Sequence, residues 1–324
     1  MKKLICVMLT VMMIVSLFAG CGAKTDDGVI NIAIIQQLDH SSLDEIRIAA
    51  QTQIDKIAAE KGIKVEYKHF NGQNDTSVLA QIGTQVVADG YDLILPIATL
   101  AAQYAVTAAE GKNIPIVYAA VSDPETAGLT GMSNVTGVSD ALNTPFILDM
   151  MFNADPDIQT VGLLYSLSEP NSEMPIKEAK TYLDAKGIPY IEKTGNTADE
   201  VITAATALVD RCDAVFTPTD NAIMNVAPAV AEILLNAGIA HYTGADSFVQ
   251  AGSFTTCGVN YTELGEYAAT MAMDIALGGA VPEFHVMEGG IITVNTDTAA
   301  VLGIDYSVFN SMANTVMAVT TIAD

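Results

Sequence analysis

From Val29 onward, short and largely apolar runs alternate with segments of helical spacing, and no other feature of the chain restricts its fold so strongly. The runs are VINIAII (29–35), IKVEYKHF (63–70), DLILPIA (92–98), IPIVYAAV (114–121), TVGLLYSL (160–167), IPYIEKT (188–194), DAVFTPTD (213–220), AHYTGAD (240–246) and CGVNY (257–261). Strands buried on both faces need such runs, because helices crossing between parallel strands cover both sides of a sheet. Between them lie amphipathic stretches such as Leu43, Ile46, Ala50, Ile54 and Ile57, spaced by three or four residues and closed by Gly62. Ser42 and Glu45 have capping-box spacing at the start of that helix.

Nine or ten strands divide better between two sheets than they fit in one. The expected fold class is therefore α/β, with two doubly wound parallel-sheet lobes joined by crossover hinge strands. The first lobe takes 29–138 plus about 262–282, and the second takes 139–261 plus about 283–324. The helical segment GEYAATMAMDIALGG (265–279) returns to the first lobe, so three segments cross between the lobes.

The first twenty residues, MKKLICVMLTVMMIVSLFAG, place two lysines before an apolar run and end in small residues ahead of Cys21, the anatomy of an export signal. The run is short for a spanning helix. FAGC (18–21) has the form of a lipoprotein processing site, so residues 1–20 are expected to be a signal peptide. Cys21 is then the lipidated N-terminus, residues 21–28 are its tether, and the remainder is an extracytoplasmic body anchored to the bacterial membrane by lipid.

The formal charge is −24, and losing the leader removes Lys2 and Lys3 but no acid. Such a surface repels nucleic acid, which is excluded as a partner. Of the four cysteines only Cys212 and Cys257 lie within the folded body, and two free buried thiols are favoured over a bridge. No metal-ligand spacing, GxxxxGK[ST], GxGxxG after a strand, or GxSxG is present, so neither a metal site, a cofactor nor an enzyme is expected.

In open α/β sheets a ligand sits beyond the carboxyl ends of the strands. The polar stretch QQLDHSS (36–42) is such an exit, and the strand-exit loops as a group contain no lysine or arginine. That argues against phosphorylated ligands, which favour Arg or Lys clamps, and for a neutral, zwitterionic or cationic small molecule. Hydroxyls and helix N-terminal amides suit a zwitterion's carboxylate, and Glu169 or Asp246 suits its ammonium.

IIQQLDHSSLDE (34–45), NGQND (71–75), IATLAAQ (97–103), AAVSDPETAGL (119–129), NVTGVSD (134–140), VGLLYSLSEPNS (161–172), PTDNAIM (218–224), GADSFVQAG (244–252) and VNYTELG (259–265) occur in order along nearly the whole mature chain. Together they resemble the lipoprotein substrate-binding components of ABC importers, in the family that includes tryptophan- and tyrosine-associated binding proteins. The resemblance implies two lobes of the periplasmic-binding-protein type I kind, permease subunits as partners, no catalysis, and an aromatic amino acid as the leading ligand. On that reading Asp39, His40, Thr99, Ser122 and Asp123 line the first lobe's side of the cleft. Ser168, Glu169, Asn171, Ser172, Asp220, Asn221 and Asp246 face them from the second. Phe70, Tyr165, Phe216, Phe248 and Tyr261, at or near strand exits, are placed to stack on a ring. A nucleoside or sugar receptor, or a receptor docking to a sensor, stays open as an alternative; an exported α/β hydrolase lacks its nucleophile motif.

Overall fold

The computed structural model describes residues 28–322; the expected signal peptide and Cys21 lie outside the described residues. The first lobe runs β1 (Val29–Gln36), α1 (Ser41–Lys61), β2 (Lys64–Asn71), α2 (Thr76–Asp89), β3 (Leu93–Ile97), α3 (Thr99–Ala108), β4 (Ile116–Ala119) and β5 (Val135–Ser139). The second runs α4 (Thr144–Ala154), β6 (Val161–Tyr165), α5 (Glu173–Lys186), β7 (Tyr190–Thr194), α6 (Ala198–Thr206), β8 (Ala214–Thr217), α7 (Asn221–Met224), α8 (Ala227–Asn236), β9 (Ala240–Thr243), α9 (Asp246–Gln250) and β10 (Thr255–Gly258). Then α10 (Tyr261–Ala276) and β11 (His285–Val286) rejoin the first lobe, while β12 (Ile291–Asn295), α11 (Thr296–Leu302) and β13 (Thr315–Val319) complete the second.

The strands form two sheets, ordered β11-β5-β4-β3-β1-β2 and β13-β12-β10-β9-β8-β6-β7. Every pairing is parallel except β10 with β12. Expected and observed strands agree along the nine apolar runs. The strands not anticipated are β5, β11, β12 and β13: Gly137 interrupts β5 and β11 has only two residues, so their signal is weak, whereas β12 (IITVN) and β13 (TVMAV) are apolar and are missed without such a reason. Because β11 pairs with β5, the first lobe extends to Val286, a few residues past the expected boundary near 282. Three segments cross between the lobes, near 140–143, 259–260 and 287–290.

The core is layered around each sheet. Tyr118, Leu79 and Ala102 fill one face of the first sheet beneath α2 and α3, and Phe254, Phe309 and Leu163 fill one face of the second beneath α4 and α5. A third cluster joins Ile34, Ile46 and Ala268 of the first lobe to Val215 and Leu234 of the second, and it includes Leu43, Phe248 and Tyr261 beside the cleft.

The expected capping box at α1 does not form: His40 is the N-cap, no side chain caps the helix, and Ser42 Oγ instead donates to Asp246 Oδ1 at 3.2 Å. A bond across the cleft replaces a local one. Gly62 ends α1 in the left-handed conformation that its lack of a Cβ permits.

Cys212 and Cys257 are free and buried in separate clusters, with thiols pushed up to about 11, chiefly by burial. Thiols so protonated are poor nucleophiles at neutral pH. In protein freed of residues 1–21, a reductant should leave the melting temperature unchanged, and a thiol reagent should titrate both cysteines only after denaturation. Prompt labelling of the native protein would contradict this packing.

Candidate functional site

The carboxyl ends of both sheets meet across a nearly closed cavity of about 30 Å³, room for a water molecule or two, so the lobes must part to admit a small-molecule ligand. Its first-lobe wall comes from the start of α1 (His40, Ser42, Leu43), the entry to α3 (Ala98, Thr99), the exit of β4 (Ala120, Ser122), Asp140 on the first crossover, and Tyr261 at the start of α10. Asn171, Thr219, Asp220, Asn221, Met224, Ala245, Ser247 and Phe248 supply the second-lobe wall.

Two alanines of this wall hold backbone conformations that L-residues rarely adopt: Ala98 has φ 77° and ψ 162°, and Ala120 has φ 54°. Strain of this kind costs on the order of 1–3 kcal/mol and persists where the surrounding fold enforces it, commonly at binding sites. At Ala98 the strained turn brings the first turn of α3 to the cavity, with Ala98 N–H donating to Ala119 O at 2.9 Å.

Six residues expected at the cleft line this cavity: His40, Thr99, Ser122, Asn171, Asp220 and Asn221. The other six do not. Asp39 is exposed and accepts from Gln36 Nε2 at 3.2 Å; Asp123 accepts from the Glu125 and Thr126 amides and fixes a turn. Ser168 is exposed and bonded to Ser166, and Ser172 Oγ donates to Asp220 Oδ2 at 2.7 Å. Asp246 is held by Ser42. Glu169 lies behind the wall, 3 % exposed, accepting from Gln37 Nε2 and Asn221 Nδ2 at 2.9 Å each. Neither Glu169 nor Asp246, the expected partners of an ammonium, lines the cavity.

The same geometry explains the difference. Short carboxylates leaving a strand reach the nearest backbone N–H or hydroxyl before they reach a cleft. Asp220 is an intermediate case, because its carboxylate caps α7 through Ile223 N–H and also accepts from Ser166 N–H and Ser172.

Asp140 had not been singled out, although it ends the NVTGVSD stretch, and its carboxylate is the least saturated on the wall. It is 5 % exposed, accepts from Ser122 Oγ at 2.9 Å, and has Tyr261 Oη at 3.5 Å. Burial pushes it above the ordinary carboxylate range, against the lowering effect of those two hydroxyls. Four buried side-chain atoms on the wall have no protein partner: His40 Nδ1, Thr99 Oγ1, Asn171 Oδ1 and Ser247 Oγ. Asn171 gives its amide nitrogen to Thr219 O, so its oxygen is left as an acceptor. The His40 ring is held neutral, its pKa pulled down to about 4 by burial. Neither lysine nor arginine lines the cavity among the described residues.

Of the aromatic candidates, Phe248 and Tyr261 face the cavity. Phe70 packs edge-on against Tyr91, Tyr165 bonds Glu192 at 2.7 Å, and Phe216 is wholly buried in the second lobe's core.

Residues 31–314 match the model of a family described as ABC transporter substrate binding protein. A tyrosine-binding protein of Clostridioides difficile (strain R20291) is 29% identical over 320 residues, covering 93% of this chain and 92% of the relative. Among solved structures, the ABC domain in complex with L-Trp from Streptococcus pneumonia is 29% identical, with a TM-score of 0.82 over 89% of this chain and 99% of that one. The ligand-free, open structure of a substrate-binding protein with adhesive properties from Clostridium difficile is 30% identical, with a TM-score of 0.68 over 90% and 100%. Here the lobes are joined by Gln37 to Glu169, His40 to Asn221, and Ser122 to Thr219.

Proposed function

The chain belongs to the family of ABC transporter substrate-binding proteins, and on that premise we propose that it captures an aromatic amino acid outside the cytoplasmic membrane and delivers it to permease subunits, tethered by lipid at Cys21. The observation that carries the ligand class is the cavity wall: unpartnered buried polar atoms around a buried carboxylate, beside two aromatic side chains, with no cation.

Each part of an amino-acid zwitterion finds its chemistry there. Asp140 and Asn171 Oδ1 accept from the ammonium. The hydroxyls of Thr99 and Ser247 donate to the carboxylate, together with the first turn of α3. Tyr261, Phe248, Leu43 and Met224 offer apolar surface to the ring. No step of bond making is required, and the protein acts by binding and closing.

Similarity supports the same class, since the relatives above include a tyrosine-binding protein and a complex with L-Trp. Calorimetric titration of refolded, ligand-stripped protein should give one-to-one binding of L-tyrosine or L-tryptophan. Saturation at a hundred times the dissociation constant adds about 2.7 kcal/mol, a shift of several degrees in melting temperature. Heat and shift with nucleosides or sugars alone would overturn the assignment.

A further inference from the structure

Behind the cavity a second polar cluster bridges the lobes. Gln37, at the exit of β1, is fully committed: its oxygen accepts from Leu100 N–H at 3.2 Å, and its nitrogen donates to Asn74 Oδ1 and Glu169 Oε1 at 2.9 Å each. The Leu100 amide requires an acceptor, so it fixes which end of the Gln37 side chain faces the second lobe. Glu169 Oε2 accepts from Asn221 Nδ2, and Asn221 Oδ1 contacts His40 Nε2 at 3.2 Å. The chain Asn74, Gln37, Glu169, Asn221, His40 thus crosses the lobe interface twice. Neither Gln37 nor Glu169 lines the cavity.

We propose that Gln37 and Glu169 form a latch that holds the closed clamshell and sets how long a bound ligand stays, without touching it. The inference rests on the interlobe geometry and not on the ligand's identity. Opening separates Gln37 from Glu169 and returns the carboxyl group to water.

Proton linkage follows from where the latch sits. In the closed form Glu169 is pushed up to about 8, first by burial and then by the neighbouring carboxylate of Asp220, against the lowering bonds from Asn221 and Gln37. Asp220 is raised as well, first by its own burial, against the lowering bonds from Ser172 and the backbone amides that it accepts. Other titratable or charged groups around them are His40 across the interface and Glu173, Lys177 and Lys180 along the outer groove, with Lys180 engaged by Glu192. A raised carboxyl is neutral when closed and ionised when open, so closure takes up a proton. Closure is then strongest below the ordinary carboxylate range and weakens as pH rises toward 8.

Two measurements on the purified protein test this. In L-tyrosine or L-tryptophan titrations, affinity should be at least tenfold weaker at pH 8.5 than at pH 5.5. Glu169→Gln, which cannot ionise, should flatten that slope whatever its absolute affinity. Gln37→Leu should raise the dissociation rate about tenfold, the expected scale for breaking a buried hydrogen bond, with the association rate little changed. Small-angle X-ray scattering of ligand-free protein separates the latch from the ligand assignment. The compact form should be more populated at pH 5.5 than at pH 8.5 in the parent chain and equally populated at both in Glu169→Gln. An unaltered slope in Glu169→Gln, an unaltered dissociation rate in Gln37→Leu, or scattering indifferent to pH in the parent chain would each overturn the latch. Failure of both amino acids to bind, with pH-dependent scattering retained, would overturn the ligand and leave the latch.

Discussion

Asp140→Asn should lower affinity for an aromatic amino acid by roughly a hundred- to a thousandfold while leaving the ligand-free protein as stable as before or more so. The two halves have one cause. Asp140 is a buried carboxylate held by two hydroxyls, with burial driving its pKa upward, so its negative charge costs the empty closed form stability. An ammonium placed against it removes that cost, and withdrawing one partner from a buried ion pair loses about 3–5 kcal/mol. The asparagine side chain has nearly the same shape and keeps an acceptor for Ser122, so packing is retained. Titration calorimetry and thermal melts of the same preparation read both halves. Undiminished affinity would move the ammonium to Asp220, the other carboxylate on the wall. A fall in affinity accompanied by a lower melting temperature would mean that Asp140 is structural.

Much of the architecture was legible because burial on both faces writes itself into sequence as apolar runs. VINIAII and DLILPIA became the adjacent central strands β1 and β3, in parallel register from Ile32 opposite Leu93 to Gln36 opposite Ile97. The loops that follow such strands were equally legible as the place where a ligand must sit. Illegible were strands whose neighbours, not their own composition, define them. β5 carries Gly137 where a Cβ would lie 2.2 Å from Tyr118 O, so its glycine marks close approach between strands and reads, in sequence, as a turn.

The site was half legible for a different reason. A loop carboxylate is conspicuous in sequence, whereas its hydrogen-bond partner is a matter of three-dimensional reach. Glu169 and Asp246 are conspicuous as partners for an ammonium, yet Glu169 accepts from Gln37 and Asp246 from Ser42, both in the other lobe, and neither lines the cavity. Asp140 lay within a quoted motif but next to a crossover, where two lobes must close before the carboxylate has surroundings at all. Contacts made between lobes leave no local spacing to detect.

Gly265→Ala should lower the melting temperature by about 4–8 °C, and two opposed effects decide the sign. Replacing a mid-helix glycine by alanine ordinarily stabilises by about 1 kcal/mol through helix propensity. At this position the new Cβ would lie 2.4 Å from Ile46 O and 2.9 Å from Ala49 Cβ, where α10 runs alongside α1. A backbone carbonyl inside a helix cannot rotate away, so the helices must separate, and overpacking of this kind costs about 1–3 kcal/mol. At the upper end of that range the net loss is about 2 kcal/mol, and each kcal/mol is worth about 2–4 °C in a chain of this size. The wedge also reaches function. α10 begins at Tyr261, one turn before Gly265, and α1 begins beside His40, Ser42 and Leu43, so parting the helices shifts two sections of the cavity wall. Ligand affinity should therefore fall together with stability, as calorimetry on the variant would read. A melting temperature unchanged or raised would mean that the two helices have room to yield, and the close packing would then not fix the site's first-lobe wall.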